Sequence, residues 1–346
     1  MAATRILAAA LGMALVTVAA GTARNAAPDF PPRLDEYLTK GAALTAAQRS
    51  QLLAGAPVTK LLDVDEGKEV SIFGAIWIEA PIRRYVEAVA DIEHFERGGA
   101  FKVTKRISSP PTLEDFADMH LREEDVKDLR TCRIGDCVVK LDAEAIQTLR
   151  TEVDWKSPGV MAAVDRVMQR FALLYVNGYL EGGNDRLAVY RDHSRPRFVA
   201  EEFRAMIDQM PELATYMPNL RRYLLDYPVP APPEATSFLY WQETEFGLRP
   251  TIRISHLTIW ETPDGTAVAS KMLYASHYFW TGLELRALLA DPSRGPGFWF
   301  VTVNRSRSDG LSGFTGRFVR GRARSDVQKG MVAALRATKR LIEGSR

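Results

Sequence analysis

From residue 237 onward the hydrophobic period of the chain falls to two, and that change constrains the fold more than any other feature of the sequence. Four stretches are rich in β-branched and aromatic residues: 237–246, 251–260, 268–280 and 297–304. The connections at 247–250 and 263–265 are too short for a crossover, so neighbouring strands must run antiparallel. Residues 281–290 fit a further strand or a helix. Residues 325–343 then predict a helix with Val327, Met331, Leu335, Thr338 and Ile342 on one face, and Lys329, Arg336 and Arg340 largely away from it. A sheet has an apolar face to bury, and an amphipathic helix directly after it is the nearest cover.

Upstream, residues 69–78 read as a strand that ends at Ala80-Pro81. Proline suits the start of a helix, and Ile82, Tyr85, Val86, Val89 and Ile92 recur at helical spacing. Gly98-Gly99 breaks that helix, and residues 101–107 return as a second strand. A short helix near 44–48 has Thr45 as its candidate N-cap. The middle of the chain is mainly helical, with patterns at 142–150, 158–181, 198–210 and 220–227 and a short strand at 186–190. Pro228, Pro230, Pro232 and Pro233 then make a stiff break. The chain has 346 residues, 46% hydrophobic and 25% charged, enough to bury a sizeable core.

The order of these pieces resembles the START-like superfamily, also called the helix-grip or polyketide cyclase/dehydrase and lipid-transport superfamily. The likeness rests on Glu69–Pro81 with its following helix and Asp91-Ile-Glu-His-Phe95, and on Ala267–Ile342 with its Thr302-Val-Asn-Arg-Ser-Arg307 close. These motifs mark a fold rather than a chemistry and cover a little under half the chain. The resemblance implies an α+β fold in which a curved antiparallel sheet grips the long C-terminal helix. The core would be 69–107 and 237–343 of a domain spanning 69–343, with a largely helical insertion at 108–235 and an N-terminal extension at 24–68. It also implies a binding protein for an apolar or amphipathic small molecule, a lipid above all, held between sheet and helix. The alternative is a cyclase, dehydratase or hydrolase using polar groups of the same cavity.

Residues 1–23 have the layout of a secretory signal peptide: Arg5, an apolar run of about 13 residues, then small residues at Val18-Ala19-Ala20 and Gly21-Thr22-Ala23. The run is short for a membrane span of about 20 residues, although an uncleaved anchor is the alternative. The expected location is therefore periplasmic or secreted. In an oxidising compartment Cys132 and Cys137, on either side of a Gly135-Asp136 turn, should form a structural disulfide; a redox or metal pair is the sharper alternative, but the spacing is not that of a thioredoxin motif.

The strand alternation nominates ligand-binding residues. His256, Thr258 and Trp260 share one face of their strand, as do Met272, Tyr274, Ser276, Tyr278 and Trp280 of the next. Of these His256, Trp260, Tyr274 and Tyr278 combine aromatic area with polar handles, as an orienting pocket would. The plainer reading is a core whose Tyr and His are satisfied by neighbours. This choice of inward face places Arg253 and Lys271 on the opposite one. Arg305 can hold a carboxylate or phosphate head group, although an internal ion pair of Arg305 or Arg307 with Asp309 is the commoner use. Gly310-Leu-Ser-Gly313-Phe-Thr-Gly316 lacks phosphate-loop spacing and reads as an entrance loop, so that 306–324 would control access. Residues 294–346 carry twelve Lys/Arg against three Asp/Glu. Arg317, Arg320, Arg322 and Arg324 could touch anionic lipid, or the cluster could face the acidic segment 112–128. The formal net charge of +2 argues against a nucleic-acid partner. No nucleophile elbow, metal-ligand spacing or cofactor fingerprint occurs, so no catalytic residue, metal or cofactor is nominated.

Overall fold

A computed structural model describes residues 29–65, 67–245, 249–309 and 313–344, and the side chains of 313–324 lie outside that description. The expected signal peptide falls outside the described residues, as do the side chains of Arg317, Arg320, Arg322 and Arg324. In chain order the helices are α1 (Pro32–Glu36), α2 (Ala46–Leu53), α3 (Ile82–Ala90), α4 (Ile92–Phe95), α5 (Glu123–Leu129), α6 (Ala143–Glu152), α7 (Val160–Gly182), α8 (Val199–Ile207), α9 (Pro211–Tyr216), α10 (Pro218–Asp226) and α11 (Gly313–Glu343). The strands are β1 (Val58–Leu61), β2 (Glu69–Ile78), β3 (Phe101–Arg106), β4 (Val189–Tyr190), β5 (Arg197–Phe198), β6 (Ala235–Thr244), β7 (Thr251–Thr262), β8 (Gly265–Ala275), β9 (Phe279–Ala290) and β10 (Phe298–Ser308).

Eight strands form one large curved antiparallel sheet in the order β1-β2-β10-β9-β8-β7-β6-β3, and β4 pairs with β5 separately. The meander β6 to β10 follows from its short connections, and β2 closes on β10 over the whole run from Phe298↔Ile78 to Arg307↔Glu69. Residues 268–280, expected as one strand, are two. The chain turns at 276–278, where Tyr278 has φ 60°, and β9 starts at Phe279. Alternation alone could not show this turn, because Ser-His-Tyr continues the mixed pattern without a glycine or proline.

Both faces of the sheet are covered. On one face Ile72, Ile76, Ile78, Phe298, Phe300, Leu257, Ile259, Val268 and Leu288 pack with Tyr85, Val89 and Ile92 of α3–α4 and with Met331, Leu335 and Ile342 of α11. The apolar stripe of α11 is the one its spacing predicts, and Lys329, Arg336 and Arg340 are exposed. Burying Leu335 alone is worth about 1.5–3 kcal/mol. The helix lies along β2, β1 and α3. Gly74 makes the approach possible: a Cβ there would stand 3.0 Å from Met331 Cγ and 3.2 Å from Leu335 Cδ1. At the far end Lys339 donates to the Trp77 carbonyl (3.0 Å) and Glu343 accepts from the Glu79 amide (2.7 Å). The helix is longer than expected. Residues 313–324 are its first turns, so the proposed entrance loop cannot extend through 306–324.

The opposite face carries the helical middle and the N-terminal segment. Leu239, Trp241, Ile252, Ile254, Leu273 and Tyr274 pack beneath α5–α7 and their connections. Ala267, Ala269, Leu283, Leu285, Trp299, Val301 and Val303 pack beneath α8–α10 and beneath Phe30, Leu34 and Leu38. Residues 29–61 are thus part of the same core, and β1 extends the sheet beyond β2. α2 starts as Thr45 predicts: the Gln48 amide donates to Thr45 Oγ1 (3.2 Å) and the Thr45 amide to Gln48 Oε1 (3.0 Å). The cysteines are disulfide-bonded, and their turn is held by Gly135 N–H to Arg191 O (2.7 Å) and Cys137 N–H to Asp192 O (2.9 Å). Among the described residues the acidic 112–128 segment finds its cations in Lys105, Lys127 and Arg249, not in residues 294–346, and its own Arg122 pairs with Glu243 on β6.

Candidate ligand-binding face

Strand parity decides what the α11 side of the sheet offers. Gly74 faces α11, and Gly74 is paired with Thr302, Thr302 with Arg286, and Arg286 with Val268, so these side chains share that side. The next rung holds Asn304, Glu284, Ser270 and Leu257, and the one after it Ser306, Gly282, Met272, Ser255 and Tyr240. One end of the face is therefore apolar, with Ile76, Phe300 and Leu288, and the other is polar.

At the polar end the side chains close into a ring. Gln242 Nε2 donates to Glu96 Oε2, and Arg253 Nη2 donates to Gln242 Oε1 (2.8 Å). Arg253 Nη1 lies 3.8 Å from Glu284 Oε1, Arg286 Nη2 donates to Glu284 Oε2 (2.8 Å), and the same nitrogen reaches Glu96 Oε1 (3.4 Å). Thr104 Oγ1 donates to the Glu96 carbonyl (2.7 Å), and the Tyr240 and Ser270 hydroxyls meet at 2.7 Å. Burial pushes the Glu96 carboxyl up, against the pull of Arg286. Burial also opposes charge on Arg286, but Tyr85, Glu284 and Glu96 more than offset it and hold the guanidinium ionised. Glu284 is the member that reaches solvent, with its side chain 30% exposed, and Asn304 and Ser306 beside it are half-buried. This set combines a carboxylate, an amide and hydroxyls on a rigid sheet, and can orient the polar end of a small molecule without moving backbone.

The nominated residues are placed elsewhere. His256 faces α7 and α10, not α11. Its Nδ1 is hydrogen-bonded to the Tyr179 hydroxyl (3.0 Å), and its ring meets Tyr179, Tyr223 and Tyr227 edge-on. Burial, with help from Lys271, depresses its pKa to about 3, so the imidazole is neutral at ordinary pH. Lys271, assigned to the face opposite His256, is in fact its cross-strand partner on the same side. Its Nζ donates to Asn184 Oδ1, to the Leu224 carbonyl (3.1 Å) and to Tyr179 (3.4 Å), and burial drives its pKa far down. Tyr274 also lies under the helices. A shift in register between β7 and β8 (Ile254↔Tyr274, then Ser255↔Met272) puts Tyr274 and Met272 on opposite faces although they are two residues apart. Its hydroxyl donates to the Lys140 carbonyl (3.0 Å), and an enclosed cavity of about 10 Å³ beside it, lined also by Met119, Asp125 and Phe171, has room for about one water.

Trp260 donates from its indole to the Pro233 carbonyl (3.0 Å) at the end of β7. Tyr278 sits in the β8–β9 turn, where its hydroxyl accepts from the Arg249 amide (3.0 Å). Arg305 is a structural cation: its Nε pairs with buried Glu69 and its Nη1 donates to the Gln209 carbonyl (2.6 Å), while Arg307 joins Glu69 (3.4 Å) and Glu202 (2.8 Å). Asp309, the partner expected for these arginines, instead binds Lys140 and accepts from the Trp280 indole (2.6 Å). Local sequence does not reveal the ring, because its members lie just beyond α4 and on β6, β7 and β9. The one local signal was a charge at alternate positions of an otherwise apolar strand, as in Glu284-Leu-Arg286. No known family model matches the chain, and no curated protein matches it.

Proposed function

We propose that this chain is an exported helix-grip protein that binds a small amphipathic molecule on the α11 side of its sheet, with residues 108–235 as an elaboration covering the other side. The grip reading is supported by the element order: a strand, two helices, a second strand, a five-stranded meander closing on the first strand, and a long final helix. The disulfide supports an oxidising compartment. The observation that carries the binding reading is the division of the α11 face into an apolar end and a polar end at which Glu284, Asn304 and Ser306 remain accessible. The apolar end shields the ligand's body, the polar end orients its head, and no bond is made or broken. His256 and Tyr274 are held in dense packing on the other face, which leaves the enzymatic alternative without its proposed groups. The test is mass spectrometry of an organic extract of the protein purified from its native host. A stoichiometric amphiphile is expected, and repeated absence from folded protein refutes the reading.

A further inference from the structure

On the reading that the α11 face binds an amphiphile, we infer that its polar end selects an uncharged, hydroxyl-rich head group over an anionic or cationic one. Among the described residues the ring contains two arginines, Arg253 and Arg286, and two glutamates, Glu96 and Glu284. Each glutamate has a guanidinium within 4 Å, and Arg286 lies between the two. A phosphate or carboxylate head would add a negative charge beside Glu284 and Glu96 and compete with them for Arg253 and Arg286, and an ammonium head would compete with those arginines for Glu284. Either competition weakens the ion pairs of a ring whose members other than Glu284 are buried, and weakening a buried pair is costly. A neutral head disturbs neither.

The groups around the ring fit such a head. Asn304 and Ser270 are the direct cross-strand neighbours of Glu284 on β10 and β8. The Asn304 carbonyl oxygen accepts from Thr302 Oγ1 (3.0 Å), and its amide nitrogen supplies two N–H donors. Ser306 adds a hydroxyl one rung further on, and the outer edge of Glu284 adds an acceptor. Donors and acceptors thus lie on neighbouring rungs of adjacent strands. A polyol matches that mixture, because each hydroxyl both gives and receives a hydrogen bond.

The experiment is titration of the full mature chain, followed by native mass spectrometry, with three probes that share a twelve-carbon tail: dodecyl maltoside, dodecyl phosphate and dodecyltrimethylammonium, each kept below its micelle-forming concentration. The maltoside should bind at least about tenfold more tightly than either ion. Glu284→Gln removes one negative charge from the ring and should move the preference toward dodecyl phosphate. Asn304→Asp, at a half-buried site outside the ring, should move it toward the ammonium, and serves if the first variant does not fold. Equal or tighter binding of an ionic probe by the unaltered chain overturns the inference while leaving amphiphile binding intact, as does an unchanged preference in a folded variant. Binding of none of the three refutes the amphiphile reading itself.

Discussion

Replacing His256 by Asn should change the pH dependence of stability more than stability itself. The imidazole is fully buried among Tyr179, Tyr223 and Tyr227, and its folded pKa is about 3 against 6.5 for the free side chain. A base with a lowered folded pKa takes up its proton first in the unfolded chain. Its contribution is therefore fully present above pH 6.5 and is lost as the pH falls through the window from 6.5 to about 3. At 1.36 kcal/mol per unit, moving from pH 6.5 to pH 4 removes about 3 kcal/mol. Asparagine offers an acceptor to the Tyr179 hydroxyl but does not titrate. At pH 8 the variant should be less stable by about 1–2 kcal/mol through lost ring packing. At pH 4 it should equal or exceed the original chain. Glu96, Glu212 and Asp142, whose pKa values burial raises, act in the opposite sense in both proteins and cancel in the difference. Urea unfolding at pH 8, 6, 5 and 4 measures the swing. Curves that stay parallel would show that His256 is not buried as a neutral base.

Gly183 has φ +60° and a Cβ there would fall 1.8 Å from the Tyr227 carbonyl oxygen, so Gly183→Ala should cost 3 kcal/mol or roughly that in thermal or urea unfolding, whereas Gly330→Ala, on an open stretch of α11, should gain about 0.5–1 kcal/mol; equal effects would refute the packing at Gly183. Intact mass without reductant should be two hydrogens below the reduced mass, and the double Cys132→Ser, Cys137→Ser variant should lose about 2 kcal/mol, as expected for a short closed loop. Arg305→Ala leaves Glu69, 1% exposed, with Arg307 as its one cation among the described residues, so it should destabilise by about 3–5 kcal/mol while the affinity of the folded fraction for dodecyl maltoside is unchanged; a selective loss of affinity would return Arg305 to the binding site.

The sheet could be read from the sequence because its strands are long, β-rich and joined by short turns, so 69–78 and the α11 stripe fall where the periodicity puts them. The site could not. Every strand from β7 to β10 is buried on both sides, and with two covered faces alternation no longer tells inside from outside. Lys271 and Arg253 share an odd parity yet face opposite ways, because the register shift between them reverses the alternation. A lysine 1% exposed with carbonyl, amide and hydroxyl acceptors also breaks the usual rule that charge marks the outer face. The arginine pairing was legible in kind but not in partner: Glu69 lies 236 residues from Arg305 and becomes its neighbour only when β2 closes on β10.

The central claim is that an amphiphile lies against the α11 side of the sheet. Photolabelling with a dodecyl maltoside carrying a diazirine in its tail, followed by peptide mapping, tests it most directly. The account predicts labels on α11-facing residues such as Met272, Leu257 and Phe238, competed by unlabelled maltoside. Labels confined to α7, α10 or the surroundings of His256, or no competed label at all, would contradict it.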